Sequence, residues 1–299
     1  MKKFFMAALA CLMTVSLSAC SHQNLQNEKS QPEAAAQNKT AALNSVMKYL
    51  NDDTRLVPTK IFDNLYCIGS VSVVCYVLKT SDGLILIDSM WDDKDAKFIE
   101  QSLASLKLDP KDLKYIYLTH GHGDHYGGAS YLAKKYNAKV MMSKTDEEFM
   151  LSTNFGANGP RSPKPKIDIY IDDDYKLTLG DTTLTILATP GHTPGCTSAL
   201  FEVKDGASSY KTVLWGGTGI PKETYWQEEY LKSALYFKNV ALKNDAKVLL
   251  TAHLFANDGF AMLDAVNEGK SNPFIRTSEN MEQLLDGIIA SVKAKLAQN

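Results

Sequence analysis

The stretch THGHGDHYGG at residues 119–128 places three of the chain's six histidines and one aspartate within six residues. It begins at the end of YIYLT, an apolar run typical of a buried strand. Side chains on an extended chain repeat every two positions, so His120 and His122 can point the same way. The glycines between them permit a tight turn, which lets Asp124 and His125 approach from the start of the next helix. Four side chains that commonly bind metals are therefore expected to converge on one small space.

Two further histidines occupy similar places in the sequence. His192 lies in ATPGHTPG, a turn rich in proline and glycine, and His253 follows the apolar run KVLLTA; only His22 lies in a polar N-terminal segment. We expect His192 and His253 to project from strand ends, where layered α/β folds build their sites. Histidine with carboxylate suits zinc, although this ligand set also fits iron or manganese. Six ligands exceed one closed tetrahedral site, which argues against a purely structural zinc.

The order of strand-type and helix-type patterns predicts an α/β fold. Strands are grouped with helices in two successive halves, which indicates two sheets that face each other with helices outside. Strands are expected at residues 61–69, 72–78, 84–88, 115–119, 139–142, 175–179, 182–188, 197–203, 212–215 and 247–251. Helices are expected around residues 98–106, 126–136, 145–151, 223–242 and 281–296, and an irregular loop at 154–166.

The N-terminal residues are typical of an exported lipoprotein. Two lysines precede an apolar run, and LSAC then resembles a bacterial lipobox. We predict a signal peptide at residues 1–19, with Cys20 as the lipid-bearing new N-terminus; the alternative is an ordinary cysteine after a cleaved signal. Residues 20–56 are polar and predict a flexible tether, followed by a domain at residues 57–299. The expected location is the periplasm or a membrane surface reached through this anchor.

The charge and the cysteines restrict the partners and the cross-links. A formal net charge of -2 without a basic cluster argues against nucleic acid. We expect a small-molecule substrate and a monomer. Cys67 and Cys75 lie on two arms of a predicted hairpin that turns near Ser70. A cross-strand disulfide is one interpretation of this pair, and two small buried strand residues are the other.

THGHGDHYGG resembles the H-x-H-x-D-H signature of the metallo-beta-lactamase superfamily, and LILID, PGHTPG and the late histidine follow in that family's order. The resemblance extends over residues 57–299. It implies a four-layer αβ/βα sandwich with two zinc ions in a cleft at the edge of the sheets. Asp88, which ends LILID, would then orient a metal ligand. The implied ligands are His120, His122 and His192 for the first zinc, and Asp124, His125 and His253 for the second.

One position departs from most of that superfamily. Many members have a bridging aspartate, and one beta-lactamase subclass a cysteine, where this chain reads LWGGTG with Gly217 and Thr218. The pattern resembles the histidine-rich third subclass of metallo-beta-lactamases, to which AHLFAND and NPFI are also similar. The departure counts against thioesterases, lactonases and RNA-processing members, and His122 counts against oxygen-reducing relatives.

The resemblance implies a zinc-dependent hydrolase that opens β-lactam antibiotics with a metal-bound hydroxide, which Asp124 would help to orient. Trp91, Thr218 and Lys222 come from segments that flank the cleft in this family, as do residues 154–166 and 225–226, and are candidate substrate-binding residues. The third subclass usually has serines near GGTGIP, and this chain lacks them. Two alternatives therefore remain: a related exported metallohydrolase for another ester, lactone, thioester or amide, and a zinc-binding lipoprotein without turnover.

Overall fold

The computed structural model describes residues 46–153 and 163–298. The predicted signal peptide, Cys20, His22 and most of the predicted tether lie outside these residues. Within the two described ranges, no helix has the length and apolar character needed to cross a bilayer.

The first sheet has seven strands in the order β1-β2-β3-β4-β5-β6-β7. The first four strands pair antiparallel, and β4 through β7 pair parallel. The strands are β1 (Thr59–Phe62), β2 (Leu65–Gly69), β3 (Val74–Thr80), β4 (Gly83–Ile87), β5 (Leu113–Tyr117), β6 (Lys139–Met142) and β7 (Ile169–Tyr170).

The second sheet has five strands in the order β12-β11-β10-β9-β8. Strands β8 to β11 pair antiparallel, whereas β11 and β12 are parallel. The strands are β8 (Lys176–Leu179), β9 (Thr182–Ala188), β10 (Thr197–Asp205), β11 (Ser208–Trp215) and β12 (Val248–Thr251).

The following helices lie in the described residues. They are α1 (Asp93–Ser105), α2 (Gly123–Tyr126), α3 (Ala129–Tyr136), α4 (Lys144–Ser152), α5 (Thr224–Lys243), α6 (Gly259–Asn267) and α7 (Ser278–Leu296), with short 3-10 turns at Pro110–Asp112 and Leu254–Ala256. Residues 46–50 are also helical.

Three apolar clusters show how these layers are stacked. The central cluster joins both sheets, for example through Tyr76 of β3 and Phe201 of β10. A second cluster packs the other face of the first sheet against α1 and α3, and a third packs the second sheet against α5 and α7. The order is therefore helices, sheet, sheet and helices, the predicted αβ/βα sandwich.

Side-chain alternation decides how the cysteine pair is arranged. Cys67 lies opposite Tyr76 in the β2–β3 register, and Cys75 lies opposite Ile68. Cys67 belongs to the cluster between the sheets and Cys75 to the cluster under the helices, so their side chains leave opposite faces of the sheet. Both thiols are free and buried, as is that of Cys196. The disulfide interpretation is therefore wrong, and the interpretation as small buried strand residues holds.

Two predicted elements are interrupted for identifiable reasons. The strand expected at 61–69 turns between β1 and β2, where Asp63 accepts a hydrogen bond from Gly206 N (2.8 Å). The helix expected at 126–136 stops at Gly127 and resumes after Gly128. A Cβ at Gly127 would lie 1.9 Å from Trp91 O, so the close approach of this loop fixes the break.

The last part of the predicted tether contacts the domain. Arg55 forms an isolated bridge with Ser70 and an ion pair with Asp95, and Leu56 packs against the central cluster. Tyr49 stacks on Phe255 with ring centroids 5.2 Å apart. The ordered structure thus includes residues that we assigned to the tether from their polar composition.

The free cysteines lead to a measurable expectation. In protein that begins at residue 21, we expect Cys67, Cys75 and Cys196 to react with a thiol reagent only after unfolding, without prior reduction. The reason is that all three are buried, and burial raises the pKa of the Cys75 thiol well above its usual value. A thiol titration with and without denaturant measures this, and a single reactive thiol in denatured, unreduced protein would contradict it.

Candidate metal centre

The metal-binding side chains come from loops at one edge of the two sheets. β5 ends at Tyr117, and the chain then passes through His120 to the short helix α2, whose N-cap is His122. His192 lies in the turn between β9 and β10, and His253 follows β12. Polar side chains at these strand ends avoid the apolar interior and still approach one another.

Three histidines form the first cluster. His192 Nε2 lies 3.2 Å from His120 Nε2 and 3.0 Å from His122 Nδ1. Three ring nitrogens thus face one point, as in the grouping implied by the resemblance. Ligand nitrogens about 2.0–2.1 Å from a tetrahedral zinc would be separated by about 3.3 Å, so these distances fit such an ion closely.

Asp124, His125 and His253 form the second cluster. Asp124 Oδ2 lies 3.5 Å from both His125 Nε2 and His253 Nε2. His125 Nε2 is buried and has no hydrogen-bond partner within the described part of the chain. Since a buried polar atom without a partner is costly, a cation at this point would remove the deficit. The donor set therefore fits a second metal.

Asp88 connects the two clusters. Its Oδ2 accepts a hydrogen bond from His125 Nδ1 (2.7 Å), and its Oδ1 accepts one from Thr119 N (2.9 Å). The Thr119 hydroxyl donates to the same carboxylate at 3.0 Å and lies 3.0 Å from His120 Nδ1. With each Nδ1 protonated, the Nε2 lone pairs of His120 and His125 are directed at the metal positions.

Backbone carbonyls orient two other rings in the same way. His192 Nδ1 donates to Gly219 O (2.6 Å), and His253 Nδ1 donates to Ser72 O (2.8 Å). These contacts leave Nε2 of both histidines available as the ligand atom. His122 differs, because its Nδ1 is the atom that faces the first cluster.

Burial keeps the first cluster neutral. It lowers the pKa of His122 to about 4 and that of His192 to about 3, and it holds the pKa of His120 well below the usual range. A neutral imidazole is the form that binds a metal. The first cluster therefore presents three unprotonated rings at neutral pH.

The second cluster attracts positive charge. Burial opposes the charged form of His125, but the carboxylates of Asp124 and Asp88 outweigh it and raise its pKa to about 10. Burial would likewise raise the pKa of Asp124, yet the facing His125 and His253 hold it well below its usual value. Two buried carboxylates around one ring favour a cation, which a divalent metal supplies.

Glycines allow the loop after β4 to lie against α2. Ser89 N and its hydroxyl both donate to His125 O, at 2.7 and 2.9 Å, and Gly127 N donates to Met90 O (2.8 Å). A Cβ at Gly128 would lie 2.5 Å from Ser89 O. The two glycines of HYGG are thus required by backbone contact around the metal ligands.

Asp146 is a supporting residue that the sequence did not single out. Its fully buried carboxylate accepts hydrogen bonds from Gly121 N (2.7 Å), the Thr193 hydroxyl (2.7 Å) and Gly195 N (2.6 Å). Gly121 separates two ligands of the first cluster, and Thr193 follows the third. A single side chain therefore joins both loops of the first cluster. Its Ser-x-x-Asp position at the start of α4 looks like an ordinary helix cap, so no local signal marks this role.

The structure places the three candidate substrate-binding residues in different surroundings. Trp91 donates from Nε1 to the Ser72 hydroxyl (3.0 Å), which connects it to the residue whose carbonyl orients His253. Thr218 lies beside the first cluster, between two glycines that approach the His192 ring. Lys222 is exposed in the turn before α5, where its carbonyl accepts a hydrogen bond from Gln227.

The other cleft-flanking segments lie partly outside the described residues. Residues 154–162 of the predicted loop are not among the described residues. Tyr225 is exposed, and its ring lies edge-on to Trp226 at 4.9 Å. An additional aromatic neighbour of the first cluster is Phe149, whose ring lies 5.6 Å from that of His122.

Gly217 leaves no room for a bridging side chain. A Cβ there would lie 2.4 Å from His192 Cβ and 2.6 Å from His192 Cγ. A carboxylate at this position would therefore require the histidine to move. The described site holds two clusters of three ligands without a shared carboxylate.

The sequence comparisons agree with this geometry. The model of the metallo-beta-lactamase superfamily matches residues 68–206. The chain is 34% identical over 224 residues to the uncharacterized protein YobT of Bacillus subtilis, which covers 71% of this chain and 89% of that protein. It is 27% identical over 204 residues to the hydroxyacylglutathione hydrolase GloC of Haemophilus influenzae, covering 63% and 91%.

A solved structure gives the same result. A subclass B3 metallo-beta-lactamase of Bradyrhizobium japonicum superposes with a TM-score of 0.72 and 28% identity, over 85% of this chain and 97% of that one. The fold and the paired clusters define a metal-dependent hydrolase. The chain belongs to the metallo-beta-lactamase superfamily, and its structural neighbours are subclass B3 enzymes.

The position of Asp146 yields a prediction. We expect Asp146→Asn to weaken zinc binding at the first cluster by about 10-fold or more, because an amide cannot accept from all three donors. Zinc titration, together with the visible spectrum of the cobalt-substituted protein, separates the two sites. Asp168→Asn is the matched control, since Asp168 accepts from Val140 N (3.1 Å) away from the ligands. Equal zinc affinities in both variants would contradict a role for Asp146 in positioning the ligands.

Proposed function

We propose that this protein is a dinuclear zinc hydrolase that opens the amide bond of β-lactams. The observation that carries the proposal is the glycine at position 217. A side chain there would clash with His192, so the two ligand triads share no bridging residue. The resemblance associates a bridging aspartate with the thioesterase and lactonase branches. An Asp-His-His second site without that bridge favours the third subclass of metallo-beta-lactamases, in agreement with the structural neighbour.

The donor set supports zinc as the metal. Five imidazoles and one carboxylate are the borderline ligands that zinc prefers, and three protein ligands per ion leave a position open for water or substrate. Two bound zinc ions would lower the pKa of a water molecule from about 16 to roughly 7 and polarise a substrate carbonyl.

The protein's own residues would supply the rest of the chemistry. Asp124 is ionised and would both bind the second metal and accept a hydrogen bond from the attacking water molecule. Asp88 keeps His125 and His120 in the tautomer that binds metal. Fixed ligands of this kind need no rearrangement during the reaction, which lowers its barrier.

Thioester or lactone hydrolysis is the second candidate. The named relative from Haemophilus influenzae is a hydroxyacylglutathione hydrolase, and its match extends over most of that protein. The chain also lacks the serines that the third subclass usually carries near GGTGIP. The same metal chemistry would serve either carbonyl substrate, so the substrate panel below distinguishes them.

We also propose that the protein acts after export, anchored through Cys20. A β-lactam hydrolase in the periplasm would meet antibiotics before they reach their targets in cell-wall synthesis, and so contribute to resistance. The lipobox-like LSAC and the polar segment that follows support this location.

The role of Asp124 can be tested by substitution. We expect Asp124→Ala to lower kcat/KM by roughly 10²–10⁴-fold, the usual contribution of a positioned acid–base group. The exposed Asp172→Ala serves as control, and zinc content is measured for both proteins. Near-normal hydrolysis by Asp124→Ala with two zinc ions per chain would contradict the proposed role.

The substrate class can be tested with a panel. We expect the zinc-loaded protein to hydrolyse a carbapenem and a chromogenic cephalosporin faster than S-lactoylglutathione or an acyl lactone, and to lose this activity after chelation. Preference for the thioester or the lactone would select the second candidate. Two zinc ions per chain without turnover of any substrate would favour a zinc-binding role.

A further inference from the structure

A groove of about 520 Å³ lies between α7 and the second sheet. We call it the Arg276 groove; its apolar walls include Trp215, Leu249, Leu284 and Ile288. This volume falls within the range of pockets that hold small molecules, which are mostly apolar with a few placed polar groups.

Two segments connect the groove to the metal ligands. Thr251 and Asn257 line it from either side of His253. Thr218 lines it from the loop whose glycines approach the ring of His192. A molecule in the groove would therefore contact residues that adjoin both metal clusters.

Among the described residues, Arg276 is the only charged one that lines the groove. It is partly buried, and its Nη2 lies 2.7 Å from Met262 Sδ, a weak acceptor. Across residues 46–153 and 163–298, no carboxylate pairs with its guanidinium. A partly buried cation without a carboxylate partner favours an anionic ligand, and a guanidinium suits a carboxylate in particular.

Asn257 adds a second unsatisfied group. Its Oδ1 is buried and has no hydrogen-bond partner among the described residues. Because this oxygen is closed off from solvent, a ligand N–H would reach it only after the Asn257 side chain turns toward the groove, whereas Arg276 is partly exposed to a ligand carboxylate. A ligand that carries both an anionic group and a hydrogen-bond donor would therefore match the polar groups of the groove.

Gly287 lies on the wall of the groove and faces open space. It lies within the nineteen-residue helix α7, and a Cβ there would meet nothing within 4 Å. Glycine inside a helix is less favourable than alanine, and within the described residues neither packing nor backbone conformation requires it here. A large side chain at this position could extend into the groove without a clash.

We propose that the Arg276 groove binds a small amphipathic carboxylate with an amide N–H beside it, as in an N-acylated amino acid. The carboxylate pairs with Arg276, the N–H meets Asn257 Oδ1 once that side chain turns toward the groove, and the acyl chain lies along the apolar walls. The site goes beyond the proposed hydrolase function. Its ligand can be part of a substrate or a separate effector, and both share this chemistry.

Calorimetry with two matched probes tests the site in the zinc-loaded protein. N-decanoylglycine carries the carboxylate, and N-decanoylglycinamide lacks it. We expect the acid to bind at least about 10-fold more tightly than the amide, and Arg276→Gln to abolish that difference. Lys293→Gln, which removes a charge from α7 outside the groove, should preserve it.

A second pair of variants tests occupancy. We expect Gly287→Phe to eliminate binding of N-decanoylglycine, whereas Ala290→Phe, an exposed position of the same helix outside the groove, should not. Zinc content and thermal unfolding of each variant show whether the fold is intact. The proposal would be overturned if the unaltered protein did not bind N-decanoylglycine. It would also be overturned if Arg276→Gln and Gly287→Phe each bound it as tightly as the unaltered protein does.

Inhibition kinetics separate the two sources of the ligand. With a substrate identified by the hydrolysis panel, competitive inhibition by N-decanoylglycine supports a substrate subsite, and noncompetitive inhibition supports an effector site. The binding measurements need no turnover, so failure of the β-lactam proposal leaves this test intact.

Discussion

The metal centre depends most on the hydrogen bonds that the buried carboxylate of Asp88 accepts. This carboxylate binds the His125 ring directly and reaches His120 through the Thr119 hydroxyl, so one residue sets ligands of both clusters. Asp88 itself adopts a positive φ of 60°, which an aspartate tolerates better than most side chains. The strain of that conformation is offset by three donors that the carboxylate satisfies. Removing this negative charge would leave two buried rings without a fixed orientation.

The sandwich supplies the edge at which these side chains meet. Its central cluster holds the two sheets together, and ligands from both sheets therefore keep their separation without a covalent link. Backbone approaches at Gly127 and Gly128 bring the loop after β4 to α2, while Asp146 ties the turn before β10 to the loop after β5. Backbone contacts, together with the buried carboxylates of Asp88 and Asp146, thus hold the ligand side chains in place.

Local sequence patterns predicted most of the architecture. Strands at 139–142 and 182–188 match β6 and β9, because apolar runs bounded by turn residues are unambiguous there. The helix α6 and the two-residue strand β7 were not predicted, since each is defined mainly by its neighbours in space. The metal-ligand candidates could be predicted from the spacing of the histidines. Asp146, by contrast, contacts partners 47 and 49 positions away, and Ser72 contacts a partner 181 positions away. Such contacts leave no periodic signal in a single sequence.

Gly217 also limits how such a centre could evolve. Because the backbone at 217 lies against the His192 ring, exchange of that one residue for aspartate cannot yield a carboxylate-bridged pair of metals. The turn that carries His192 would have to retreat at the same time, together with its hydrogen bonds to Gly219 O and, through Thr193, to Asp146. An exchange at residue 217 alone would therefore disturb the contacts that position His192 as a ligand of the first cluster.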